Sequence, residues 1–213
     1  MSKRARRPPK IRPPSPDEIE SPWRLFIALP LPVETKTQIA GIIEGLAGDN
    51  WPVRWVSPET GHLTLHFLGD THPDRAELLR LALAEPIARH APFALQTGGL
   101  GVFPNIQRPR VLWLGLEGQM QLLQSLHRDI GETLRRFEFP VEAGKLHPHI
   151  TLGRVRENPP LDFPAAVERR FNELSSNRVT TSTEIPVNEV VLIRSFLGKG
   201  GPRHEPVARY PLK

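Results

Sequence analysis

The stretches His62-Leu63-Thr64-Leu65-His66-Phe67 and His149-Ile150-Thr151-Leu152 repeat one pattern: a histidine, an apolar residue, a threonine and a leucine. Side chains alternate faces along a strand, so each stretch reads as a β-strand with one polar and one apolar face. In the first, His62, Thr64 and His66 are expected on one side, with Leu63, Leu65 and Phe67 on the other; in the second, His149 and Thr151 oppose Ile150 and Leu152. The apolar sides supply core while the polar sides are free for chemistry.

Outward from these strands the chain alternates between the two periods of secondary structure. Residues 23–31 (WRLFIALPL) predict a first strand, stopped by Pro30 and Pro32, and Ile39, Ile42, Ile43 and Leu46 recur at helical spacing before Gly48. A short strand is expected at 53–56. Pro73 suits a first helical turn, and Leu78, Leu79, Ala82 and Leu83 predict a second helix running toward Pro86. Strands at 93–95 and 111–116 flank a Gly/Pro/Asn-rich connection over 98–109, which reads as a hairpin or a loop. Leu122, Leu123, Leu126, Ile130, Leu134 and Phe137 form the clearest amphipathic stripe. After the second motif the pattern predicts a short helix near 165–174, a strand around 187–194, and a loop over the GKGGPRHEP segment near the C-terminus.

Composition narrows the chemistry. The 213 residues, 38% of them apolar, suffice for one large domain or two small lobes. The absence of cysteine excludes disulfides, thiolate metal sites and a cysteine nucleophile. No run of about 18 apolar residues exists and the N-terminus is Arg/Pro-rich, so a cytoplasmic protein without membrane insertion is expected. Residues 1–22 carry a net +3 of the chain's +5 and six prolines, a composition that cannot bury enough apolar surface to order itself. We expect a disordered basic arm there, with salt-screened attraction to RNA phosphates as its sharper alternative, and a single folded body over 23–213.

Two imidazoles with ordinary pKa near 6.5 can serve at neutral pH as one base and one acid, provided their surroundings separate their protonation states. Such a pair suits in-line displacement at phosphorus: one histidine deprotonates the attacking oxygen while the other protonates the departing one. General acid–base steps contribute roughly 10²- to 10⁴-fold each, and no metal is required. A threonine hydroxyl two residues along each strand can donate to a non-bridging phosphate oxygen, although threonine also has plain strand propensity. Arg154 could bind phosphate or developing charge. On strict alternation it faces away from His149, so a strand end or a bulge must re-aim it; otherwise it is a solvated arginine.

At these residues, and over RLFIALPLP at 24–32, HLTLHFLGD at 62–70, GVFPNIQRPRVLWLGL at 101–116 and HPHITLGR at 147–154, the chain resembles the two-histidine (2H) phosphoesterase superfamily, and within it the RNA 2′,3′-cyclic phosphodiesterases. The resemblance covers nearly all of residues 23–213. It implies an α+β, bilobal fold in which two pseudo-twofold related antiparallel sheets, with helices packed outside, face a central cleft. It also implies metal-independent, cofactor-free hydrolysis of a terminal 2′,3′-cyclic phosphate to a 2′-phosphate by a monomer acting on RNA or oligonucleotide ends. The same machinery run backwards gives the family its other name, 2′-5′ RNA ligases. Carried over, His62 is the proton donor to the leaving 3′-oxygen, His149 the proton acceptor that activates water, and Thr64, Thr151 and Arg154 bind the phosphate. His66 and His147 add further imidazoles that bind substrate or tune their neighbours.

Two other readings compete. Histidines at 62, 66, 147 and 149 invite a His-ligated metallohydrolase, although Glu59 and Asp70 complete no recognisable ligand spacing. The basic arm, with Trp55, Phe103 and Trp113 as stacking surfaces, suggests a non-catalytic RNA-binding module. Trp55 and Trp113 lie in apolar, strand-like contexts that favour core packing, whereas Phe103 is more open.

Overall fold

The structure, a computed structural model, describes residues 21–47, 50–142, 144–176, 182–198 and 201–213. Most of the expected basic arm therefore lies outside the described residues. Among the described residues nine strands form two antiparallel sheets: β1 (Trp23–Pro30), β3 (His62–Thr71), β8 (Glu189–Phe196) and β9 (Arg203–Pro211) in one, ordered β3-β1-β8-β9. The second contains β2 (Val53–Trp55), β4 (Phe93–Phe103), β5 (Val111–Gly118), β6 (His149–Val155) and β7 (Glu184–Val187), ordered β2-β6-β5-β4-β7. The fold is α+β. Among the described residues no helix is long and apolar enough to cross a membrane.

Leu25 to Leu29 are all buried because β1 lies inside its sheet, between β3 and β8. The helices follow the apolar stripes. In α1 (Val33–Ala47) Ile39, Ile42 and Leu46 are buried, while Ile43 packs at the margin of the core. Helix α2 (Pro73–Ala82) starts at Pro73 behind a His72 cap whose Nδ1 accepts from the Asp74 amide at 3.3 Å. It ends earlier than its stripe predicts, since Pro86 falls in a separate short helix, α3 (Ala84–Ala88), and Leu78 faces solvent. Ala76, Leu79, Leu83 and Ile87 form the buried face instead.

The longest helix, α4 (Met120–Arg136), buries Leu123, Leu126, Ile130 and Leu134 completely, each worth about 2 kcal/mol of apolar transfer. It follows a strand of the second sheet yet packs under β3 of the first: the His66 Nε2 donates to the His127 carbonyl at 2.9 Å, and the two rings stack at 4.1 Å. In the other direction α1, which follows β1 of the first sheet, is tied to α5 (Phe163–Ser176) by Arg170 donating to the Gly45 carbonyl at 2.9 Å. This exchange of helices joins the sheets through one continuous hydrophobic core.

The connection over 98–109, expected as a hairpin or a loop, is a hairpin, and the segment expected as a loop near the C-terminus is a strand. The run Gly98 to Phe103 continues β4, and Gly101 sits directly opposite Trp113 of β5, where the glycine leaves space for the indole. The strand expected near the C-terminal third is two, β7 and β8, in different sheets, and Arg203 to Pro211 form β9 beside β8. Backbone pairing overrides the turn-like composition of both segments.

Candidate active site

Strands β3 and β6 approach one another between the sheets, each presenting its first histidine toward the gap. Both imidazoles are held the same way. His62 Nδ1 donates to the Thr60 carbonyl at 2.8 Å, and His149 Nδ1 donates to the His147 carbonyl at 2.7 Å. A carbonyl can only accept, so each Nδ1 carries a proton and each Nε2 is left for the cleft. The rings are wedged by aromatics: His62 against Phe26 at 4.7 Å, and His149 edge-on to Phe103 at 4.9 Å with Trp113 at 6.4 Å.

Burial dominates the electrostatics of the first lobe. It pushes the His62 pKa down to about 4, against the upward pull of the Thr60 carbonyl, and positive charge on His204 or His149 pushes it down further. In the unliganded protein at neutral pH, His62 is therefore neutral. His204 lies 5.3 Å from His62 and 5.1 Å from Phe26, and burial lowers its pKa also. Among the described residues its buried Nδ1 has no hydrogen-bond partner.

Two bulges decide which side chains reach the cleft. Across β1 and β3, Ala28 pairs with Thr64 but Ile27 pairs with His66, so Leu65 is an extra residue on β3. Beyond it the alternation is inverted. His66 turns to the outer face, 4% exposed beneath α4, and Phe67 joins Phe26, His62 and Thr64 on the cleft face at 49% exposure. The expectation that His62, Thr64 and His66 share one face fails for His66. Across β5 and β6, Trp113 pairs with Thr151 but Leu112 pairs with Gly153, which makes Leu152 the extra residue. Val111 and Trp113 share a face, and Arg154 pairs with Val111, so the bulge brings Arg154 round to the side of His149 and Thr151.

The family model of the 2′-5′ RNA ligase superfamily matches residues 38–197, which include both histidine motifs. The chain belongs to this superfamily. It is 33% identical over 186 residues to an RNA 2′,3′-cyclic phosphodiesterase of Thermotoga maritima, covering 82% of this chain and 96% of that one. A Geobacillus stearothermophilus protein of the same name is 35% identical over 188 residues; the match takes in 88% of this chain but spans only 56% of the relative's length. Among solved structures, E. coli LigT complexed with 3′-AMP superposes with a TM-score of 0.66 at 27% identity, over 90% of this chain and 99% of LigT.

This superfamily member carries site residues that the sequence alone did not single out. Phe26 and His204 come from strands distant in sequence, and His204 lay in a segment whose glycines and prolines suggested a loop. Trp113 is a cleft wall rather than core: its ring covers Gly101 and contacts Phe103 at 5.2 Å. Trp55 packs away from the cleft, on the side of Gly153 and Trp51. His147 serves through its carbonyl, with its ring exposed. With His66 turned away, the four histidines considered as a metal set are not gathered together, and among the described residues no group of three or more His, Cys, Asp or Glu is placed to hold a metal ion.

A Cβ on Gly101 would lie 2.2 Å from Trp113 Cη2 and Cζ2. Gly101→Ala is therefore expected to destabilise the protein by about 1–3 kcal/mol through overpacking, and to slow catalysis by shifting the wall behind His149. Urea unfolding and steady-state kinetics on one preparation measure both effects.

Proposed function

We propose that residues 23–213 form an RNA 2′,3′-cyclic phosphodiesterase that opens a terminal 2′,3′-cyclic phosphate to a 2′-phosphate. The observation that carries this reading is the matched pair of histidines, each with Nδ1 tied to the carbonyl two residues before it and Nε2 left for the cleft. The Thermotoga relative's name and the 3′-AMP complex of LigT support the choice of a ribonucleotide end as substrate.

His149 Nε2 takes a proton from water as its oxygen bonds to phosphorus. The bond from phosphorus to the 3′-oxygen breaks on the opposite side, and Nε2–H of His62 protonates the departing oxygen. Hydroxyls of Thr64 and Thr151 donate to the two non-bridging oxygens, and Arg154 balances their charge. Donor duty requires His62 to be charged, whereas burial keeps it neutral in the empty cleft. The phosphate anion resolves this: an opposite charge nearby favours imidazolium, so His62 takes up its proton as the substrate binds. With a 5′-hydroxyl in place of water as the nucleophile, the same displacement breaks the bond to the 3′-oxygen and joins the two ends through a 2′-5′ linkage.

The test is hydrolysis of an RNA oligonucleotide ending in a 2′,3′-cyclic phosphate, with the product isomer assigned by ³¹P NMR after exhaustive chelation. A 2′-phosphate formed at the unchelated rate is expected. A 3′-phosphate product, or a loss of activity restored by added divalent metal, overturns the mechanism.

A further inference from the structure

Arg154 is not alone at its end of β6. Arg54 of β2 is its direct cross-strand partner, between the pairs Val53 with Val155 and Trp55 with Gly153. Directly opposed residues of an antiparallel pair project on one face. That face is the cleft side, because Gly153, on the other side, faces Val53 and Trp55 at the core. Both arginines are exposed, and among the described residues neither side chain meets a carboxylate or makes a hydrogen bond.

Like charges opposed across strands destabilise the pairing. One charge on a three-residue edge strand is enough to discourage stray strand addition, so edge protection does not call for a second guanidinium beside it. Two arginines opposed across neighbouring strands, on the face that also carries Thr151 and His149 and with no internal anion to engage them, offer their planar forks to oxygen anions. Arg154 faces the reacting phosphate; Arg54 is one strand farther from β5 and the centre of the sheet.

Resting on the phosphodiesterase reading above, we propose that Arg54 grips the internucleotide phosphate preceding the terminal nucleotide, with Arg154 between it and the reacting group. The preferred substrate is then an oligoribonucleotide, and a free cyclic mononucleotide engages only half of the anion site. Arg54 touches no reacting atom, so its contribution falls on binding of the longer chain.

The test compares a cyclic mononucleotide with a five-nucleotide RNA carrying the same cyclic end, using the full chain. In Arg54→Gln the preference for the pentamer, expressed as the ratio of kcat/KM values, should fall about tenfold, mainly through the pentamer's KM. Fluorescence anisotropy of a labelled pentamer ending in a 2′-phosphate reads the same contact without turnover, and the slope of log Kd against log salt should drop by about 0.7. Arg54→Lys should restore the slope and part of the affinity, because it keeps the charge but not the fork. Thermal melting should show Arg54→Gln folded and no less stable than the parent, since it relieves a like-charge pair. An unchanged pentamer preference and an unchanged salt slope in Arg54→Gln overturn the proposal. If the parent opens neither cyclic end, the phosphodiesterase reading fails, and the anisotropy comparison still decides whether Arg54 holds a phosphate.

Discussion

Replacing His149 by alanine is expected to slow cyclic phosphate opening by roughly 10²- to 10⁴-fold, the range that general base catalysis supplies, with little change in KM. The reason is local. His149 is fixed by one hydrogen bond to the His147 carbonyl and by edge contact with Phe103, so truncation removes the Nε2 base while Ile150 and Leu152 keep β6 in its core register. His62→Ala should cost a similar factor. The double variant should lose much less than the product of the two, because a base without its acid leaves most of the barrier in place. Initial rates on an RNA with a 2′,3′-cyclic end measure all three. Either single variant turning over at the parent rate removes that histidine from the mechanism. The two variants should also differ in their pH profiles: the limb that reports protonation of His62 is set by burial beside Phe26 and His204, and it disappears in His62→Ala alone.

The shared face of His62 with Thr64, and of His149 with Thr151, was legible because period-two alternation is fixed by backbone geometry wherever a strand runs without a bulge. Leu63 and Ile150, expected on the apolar faces, are fully buried. What alternation cannot carry is its own interruption. The extra residues Leu65 and Leu152 look like any other strand leucine, yet each inverts the faces beyond it, sending His66 under α4 and bringing Arg154 to the cleft. Sequence reasoning recognised that Arg154 needed such a device and had no way to find it. His204 was hidden for another reason. Strand β9 is held by its pairing with β8, from Glu189 opposite Pro211 to Phe196 opposite Arg203, and nonlocal pairing leaves no mark on a segment rich in glycine and proline. The helix stripes read correctly at the positions that meet a sheet, Leu123, Leu126, Ile130 and Leu134 of α4, and failed at Leu78, Leu122 and Phe137, which are exposed because each stripe is wider than the contact it serves.

Acidification from pH 7 toward pH 4 should destabilise the fold through His66. Its Nε2 donates to the His127 carbonyl, its ring stacks on the His127 imidazole, and a Cβ added to Gly131 would sit 3.3 Å from its Cε1. Burial pushes its pKa down to about 4 despite the carbonyl, and positive charge on His127 and Arg135 reinforces the shift. The unfolded chain protonates this imidazole near 6.5, so below that pH the unfolded state binds more protons than the folded one. The contribution is fully present above pH 6.5, is lost progressively as the pH falls, and levels off below about 4. The gap between the two pKa values corresponds to about 3 kcal/mol at most, comparable to a large fraction of the stability of an ordinary domain. His62 shifts in the same direction, but it borders an open cleft where solvent screens the charge, so it should add less. Urea midpoints of parent and His66→Phe between pH 7 and 5, above the range where carboxylates titrate, isolate the effect. The parent should weaken steadily across that window, and the variant, whatever its stability at pH 7, should follow a flatter line. Parallel lines would mean that the His66 pocket admits the proton freely, by opening α4 away from β3 or by admitting water between the stacked rings.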